Sequence, residues 1–460
     1  MSNVLKVLNP YDQSPIGELP LIDESKALSF LSDANELQSY PRKLLPKSER
    51  IRILRETAKI MESSSSELAY LIASEGGKPL IDSKIEVERA IDGVNTCAND
   101  LSALIGKEIP MGLTTAAENR ISFSTREPIG SVVAISAFNH PLNLIVHQVA
   151  PAVAVGCPVI VKPADDTPLS CQKFLSTLYE AGLPEKWARF APCSIPVAQK
   201  LVTDPSTAFF SFIGSAKVGW YLKSVLSPGT RFALEHGGAA PVIVGKTASM
   251  DDVIPKLVKG GYYHSGQVCV SVQRVFVVGD AKELAEKISI SAKELKVGNA
   301  VDESTECGPL IRVKEVERVD HWVKEAEEGG GQVICGGKRI SESTYSPTVI
   351  LNPPHDSKVS RLEIFGPVIC VYSCESIEEA LSRANSLEYA FQAAVFSNDF
   401  AEIMTVFNGV DATAVMINDH TAFRVDWMPF AGRKQSGYGT GGIGYTMEDM
   451  TQLKMGVINY

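Results

Sequence analysis

Apolar residues Ile51, Leu54, Ala58 and Met61 recur at helical spacing after Pro46-Lys47-Ser48, which predicts an amphipathic helix starting near a Ser48 cap. Residues 68–74 and 85–104 continue in the same style, so the early chain is predicted to be mostly helical. From Arg120 the pattern changes. Short β-branched runs at 132–135 and 159–161 alternate with helical stretches at 147–154 and 169–181, and 209–212 and 242–244 add two more apolar runs of strand length. These runs are continuous rather than alternating, so both faces of each strand are covered, as in a parallel sheet flanked by helices. A second series follows Cys269, with strands predicted at 275–278, 368–372, 393–396 and 415–418 and a helix at 283–295. The prediction is two α/β domains dividing near residue 236. Gly329-Gly330-Gly331 and Gly336-Gly337 read as turns within the second.

A length of 460 residues suits two or three domains, and 45% hydrophobic with 21% charged residues describes an ordinary globular protein. The formal charge of −10 and the lack of any dense Lys/Arg run exclude nucleic acid as an expected partner. The nine cysteines are odd in number, irregularly spaced and without a C-x-x-C pair, so neither a disulfide framework nor a metal site is expected. The amino-terminal stretch MSNVLKVLNPYDQ lacks the charged and apolar regions of a signal peptide. The longest apolar region, 131–161, is broken by polar residues and prolines before the roughly 18 residues a membrane span needs. A cytoplasmic, enzyme-sized protein is the expectation.

Candidate chemistry centres on Cys269, between a glycine-containing turn and a β-branched run in Gly266-Gln267-Val268-Cys269-Val270-Ser271-Val272. A free cysteine is either packing material or a nucleophile, and the second reading needs a base, an oxyanion site and a cofactor. Asn139, past a predicted strand, either sits in a turn or donates to an oxyanion. Lys162 and Asp165, also at a strand end, form either a surface ion pair or a ribose site. Gly214-Ser215 opens a helix, where ordinary capping and phosphate binding are both open. Glu235 at the domain boundary is either a hinge carboxylate or a general base, and Glu363 with Phe365 before a strand is either turn and core or a cofactor contact.

Taken in order, AFNHPLN, VKPADDTPLS, FIGSAKVG, LEHGG, GQVC, EIFGP and MPFAGRKQSGYG resemble the aldehyde dehydrogenase superfamily, from about Asn9-Pro10 to the carboxyl terminus. The resemblance implies two doubly wound α/β domains plus a small β oligomerisation element. Residues 1–106, 131–236 and 426–444 would form the NAD-binding domain, 237–425 the catalytic domain, and 107–130 with 445–460 the oligomerisation element of a homodimer or homotetramer. It further implies NAD(P)-dependent oxidation of an aldehyde to a carboxylic acid. The Cys269 thiolate would attack the carbonyl, Asn139 and the Cys269 N–H would hold the oxyanion, and Glu235 would activate water against the thioester. Lys162 and Asp165 would meet the adenosine ribose, Phe138, Gly214 and Ser215 the pyrophosphate, and Glu363 and Phe365 the nicotinamide end. A carboxylate at Asp165 favours NAD over NADP, although Lys162 leaves NADP possible.

Four positions depart from the family pattern. Gln148 stands where many relatives have lysine, Thr440-Gly441 where arginine and glutamate are usual, and His236 where leucine follows the base. Residues 267–274 and 423–429 look like the branch acting on small polar aldehydes, with Arg424 either meeting a polar substrate tail or pairing with Asp426. Two alternatives are a coenzyme-A-acylating enzyme, disfavoured by Glu235, and a non-catalytic protein retaining the fold.

Overall fold

The continuous apolar runs become the inner strands of two largely parallel sheets in the computed structural model, which describes residues 4–39 and 43–460. Residues 1–3 of the amino-terminal stretch, and 40–42 within the first expected domain range, lie outside the described residues. The first sheet has the order Gly437–Tyr438, Arg231–Glu235, Thr207–Ile213, Ser131–Ile135, Val159–Lys162, Ala188–Phe190. All neighbours are parallel except the short edge strand, which sets Gly437 opposite Glu235 in antiparallel register.

Alternation along Ser131–Ile135 decides which core each residue joins. Val132 and Ala134 face Ile53, Met61, Val94 and Phe174, whereas Val133 faces Phe30, Phe210 and Phe212. Every residue of the helix Asn143–Val155 is buried, as an all-round apolar helix requires, and Gly156 ends it at φ 90°. Burial of each large aliphatic or aromatic side chain contributes about 1.5–3 kcal/mol, so these two cores hold the sheet between helices.

The second sheet runs Gln332–Cys335, Thr348–Leu351, Val368–Cys374, Arg274–Val278, Pro241–Val244, Gln392–Phe396, Ala414–Ile417, with only its first strand antiparallel. Here too the faces separate by alternation, Ile243 to one core and Val242 with Val244 to the other. Arg120–Pro128 and Thr451–Asn459 pair antiparallel along their whole length in a third, small sheet. That sheet leaves Ile121, Phe123, Leu453 and Met455 exposed.

The α/β class is as the sequence predicts, and the differences are local. The helix Lys47–Ser63 starts behind Pro46, with no side-chain cap, because proline already holds a helix-compatible φ and Ser48 falls inside the first turn. The expected helix 85–104 is Leu80–Asp100. A hairpin of Val4–Leu8 and Pro15–Pro20 precedes the helical region. Arg231–Glu235, Gln332–Cys335 and Thr348–Leu351 are strands the apolar pattern did not predict; the first two carry exposed polar ends and half-buried interiors. Among the described residues no helix is long and apolar enough to cross a membrane.

Candidate active site

The carboxyl ends of the strands Ser131–Ile135, Val159–Lys162, Thr207–Ile213 and Arg231–Glu235 open on a cleft of about 750 Å³. Segments leading into Arg274–Val278 and Val368–Cys374 close its other side. Cys269, Glu235, Asn139 and Arg424 line this cleft together. So do Phe138, Lys162, Asp165, Gly214, Ser215, Glu363 and Phe365, so the sequence-predicted residues converge on one volume of the size that ligand sites occupy.

A strained turn delivers the thiol. Between the helix Met250–Tyr262 and Cys269, three successive residues take positive φ: His264 at 47°, Ser265 at 55° and Gly266 at 70°. Each non-glycine residue held so costs about 1–3 kcal/mol, which surrounding contacts must offset. The His264 N–H donates to Asp82 Oδ2 at 3.2 Å, Ser265 Oγ to the Gly308 carbonyl at 2.7 Å, and Gln267 Oε1 accepts from the Ile311 N–H at 2.9 Å. At Gly266 a Cβ would lie 2.1 Å from the Gly366 carbonyl oxygen, so only glycine fits.

Asn139 reaches the same segment from the other sheet: its buried Nδ2 donates to the Gln267 carbonyl at 2.9 Å, two residues before the thiol. One amide N–H remains for another acceptor. Glu235 ends its strand where Gly437 pairs with it. Burial raises its pKa, and the Arg424 guanidinium partly offsets this. Cys269 is half-exposed to the cleft yet closely surrounded, and burial pushes its thiol well above the ordinary value; the Glu235 carboxylate adds to the rise and Arg424 opposes it. The resting site therefore favours a neutral thiol beside a carboxyl that becomes a base once deprotonated.

The Arg424 guanidinium lies 3.5 Å from the centre of the Phe430 ring, and its buried Nε has no hydrogen-bond partner. The alternative pairing with Asp426 is not formed. That carboxylate instead accepts from Arg89 Nε and Nη2 at 3.0 and 2.8 Å and from Asn143 Nδ2 at 2.9 Å, with His147 Nε2 at 2.7 Å.

At the far end of the cleft, Lys162 Nζ donates to Asp165 Oδ1 at 2.6 Å. Ser215 caps the helix Ala216–Ser224 without a side-chain bond and lines the cleft at the helix start. Glu363 folds onto Gly237-Gly238, where a Cβ on Gly237 would lie 1.6 Å from its Oε1. That Oε1 is buried without a donor, and burial raises the carboxyl pKa to about 8 despite a hydrogen bond from Gly238. Phe365 holds φ 49° and meets Phe138 edge to face at 5.8 Å. An orphaned carboxyl oxygen, a glycine cradle and an uncapped helix start fit a dinucleotide with hydroxyl and phosphate groups. Among the described residues no group of three or more His, Cys, Asp or Glu is placed to hold a metal ion.

Sequence reasoning missed Arg89, His140 and Tyr263 as cleft residues. His140 stood inside a quoted motif, but Arg89 carried no signal beyond a polar position on a helix. His236 is buried beneath the Gly214 turn, Nδ1 lying 2.9 Å from the Gly214 carbonyl oxygen and its ring against Phe212 and Trp220.

The model of the aldehyde dehydrogenase family matches residues 1–455. The chain is 35% identical to a 3-sulfolactaldehyde dehydrogenase of Priestia aryabhattai, over 99% of this chain and 95% of that one. It is likewise 35% identical to a lactaldehyde dehydrogenase of Methanococcus vannielii, covering 99% and 97%. Among solved structures, glyceraldehyde-3-phosphate dehydrogenase GapN of Methanocaldococcus jannaschii, complexed with NADP, superposes with a TM-score of 0.94 at 33% identity, covering 99% of each chain. Aldehyde dehydrogenase 21 of Physcomitrella patens, in complex with its product succinate, gives 0.95 at 31%, covering 99% and 95%.

Proposed function

The chain belongs to the aldehyde dehydrogenase family, an NAD(P)-dependent oxidoreductase class, and on that premise we propose a hydrolytic enzyme that uses Cys269, Asn139 and Glu235 on a small polar aldehyde. The observation that carries this reading is the meeting of an accessible thiol, an amide with a free N–H and a carboxyl of raised pKa in one cleft.

In this reading the Cys269 thiol gives its proton to water in the cleft, and the thiolate sulfur bonds to the aldehyde carbon. The oxyanion so formed accepts from the free Asn139 N–H and from the Cys269 backbone N–H, which has no backbone acceptor among the described residues. A bound NAD(P) would supply the hydride acceptor for that carbon, and the Cys269 sulfur would then carry the acyl group as a thioester. Glu235 then takes a proton from water as the water oxygen attacks the thioester, the carbon–sulfur bond breaks, and the acid leaves. Lys162, Asp165, Phe138, Gly214, Ser215, Glu363 and Phe365 hold the cofactor. NAD is the first choice, with NADP the alternative: Lys162 already neutralises Asp165, and the GapN relative carries NADP.

The unpaired Arg424 supports an anionic or hydroxylated substrate tail, consistent with relatives named for lactaldehyde, sulfolactaldehyde and glyceraldehyde 3-phosphate. The proposal keeps the three segment groups given above: 1–106, 131–236 and 426–444 for NAD, 237–425 for catalysis, 107–130 and 445–460 for assembly. The exposed apolar side chains on the third sheet, Ile121 and Phe123 on one face and Leu453 and Met455 on the other, support a homodimer or homotetramer, and a cytoplasmic location belongs to the same reading. Cys269→Ala is expected to abolish NAD(P)H formation from a panel of small aldehydes. Undiminished turnover would overturn the mechanism.

A further inference from the structure

Glu235 lines not only the cleft but also a second cavity, of about 40 Å³, whose walls do not include Cys269. A single water needs about 10–15 Å³ on the same measure, so there is room for water. The walls are mixed: Gln148, Ser211, Thr440, Thr446 and Asp449 bring polar groups to a lining that also holds Phe209, Phe212, Leu234 and Phe430, with Gly441 beside the carboxylate. Gln148 is 1% exposed and donates from Nε2 to Ser211 Oγ at 3.1 Å and to the Ile135 and Ser211 carbonyls. Its Oε1 is buried with no donor among the described residues, so it is an acceptor they leave unsatisfied. A Cβ on Gly441 would lie 3.6 Å from Glu235 Oε2, so this residue sits directly beside the carboxylate on the cavity wall.

Neither Gln148 nor Gly441 can take a proton, yet each turnover loads one onto Glu235. Of the cavity's other residues, His147 is engaged by Asp426 and Tyr438 presents a phenol rather than a carboxylate. Asp449, half-buried at the end of the helix Ile443–Asp449, is the remaining carboxylate. We infer that water in this cavity carries protons from Glu235 to Asp449, which releases them to solvent, making Asp449 a positioning residue for the proton exit of deacylation. The inference rests on the hydrolytic reading above. The balance is simple: protonated Glu235 gives its proton to a cavity water, that water gives one of its own to the Asp449 carboxylate, and bulk water removes it.

Burial raises the Asp449 pKa to about 6, Glu448 adding to the rise and Arg231 opposing it. An acceptor so tuned is open above pH 6 and closes below it. The test uses the full-length enzyme, intact-mass detection of acylated Cys269 during turnover, and kcat and kcat/KM against pH. Asp449→Asn should leave the NAD(P)H burst and kcat/KM unchanged, lower kcat and KM together by about tenfold, accumulate acyl-enzyme, and shift the acid limb of kcat. Asp449→Glu should restore most of kcat.

Wild-type kcat and pH profile in Asp449→Asn, or loss of its burst in step with kcat, overturns the proposal. A wild-type kcat profile without an acid limb near 6 does the same. Glu235→Gln separates the two levels. If it fails to accumulate acyl-enzyme, the hydrolytic reading falls and this proposal with it; if it accumulates while Asp449→Asn does not, only the proton exit is refuted.

Discussion

Two buried carboxylates influence Arg424 from opposite surroundings. Asp426 accepts three hydrogen bonds from Arg89 and Asn143 and lies in hydrogen-bond distance of His147; although burial alone would raise its pKa, His147 and Arg89 hold it well below the ordinary range. Glu235, on the strand next door, has no donor to its carboxyl among the described residues, and burial leaves its pKa raised. The same desolvation acts on both. What differs is pairing: with partners the buried carboxylate becomes a fixed anion that ties the helix Asn143–Val155 to the loop carrying Arg424, and without them it is free to exchange a proton.

The sharpest way to break this contrast is to remove the exchangeable proton. Glu235→Gln should retain the NAD(P)H burst while lowering steady turnover by roughly 10²–10⁴-fold, the usual worth of a general base, measured by stopped-flow absorbance. Loss of the burst as well would assign Glu235 to thiol activation rather than to hydrolysis.

Asp426→Ala should strike stability instead. It leaves Arg89 unpaired in a buried site, with an expected loss of about 3–5 kcal/mol in denaturant unfolding. The two carboxylates also predict opposite pH slopes. Asp426, with a depressed folded-state pKa, contributes stability that is present above its unfolded value of about 4 and lost as pH falls below it towards the folded value. Glu235, with a raised one, contributes in acid and loses that contribution as pH rises through its folded-state value. Denaturant midpoints across pH should show Asp426→Ala flattening the acid arm and Glu235→Gln leaving it in place.

The smallest of these effects belongs to Arg424, whose alternative ion pair with Asp426 is not formed. Arg424→Ala should raise KM about 10–100-fold for an anionic aldehyde, the worth of one charge-assisted contact, and much less for an uncharged one. Equal losses on both would return Arg424 to a structural role.

How much of this was legible in the sequence depends on how local the signal is. The continuous runs at 132–135, 159–161 and 242–244 announce buried strands because covering both faces excludes polar residues from them. Arg231–Glu235 was illegible: its first residue is exposed and its next two are half-buried, so its apolar run is short. Cys269, Asn139 and Glu235 were legible through the ordered motifs, and the cleft gathers them. Arg89 was not, since its partner Asp426 is 337 residues away and nothing local marks it as other than a helix-surface cation. Gln148 and Gly441 stood out as departures. Only the fold turned them into walls of one cavity beside Glu235.

The Asn139–Gln267 hydrogen bond acts as a latch across the mouth between the two sheets. In the proposed mechanism the same amide group aims its second N–H at the oxyanion, so the bond that ties the two segments together also sets the direction of that N–H.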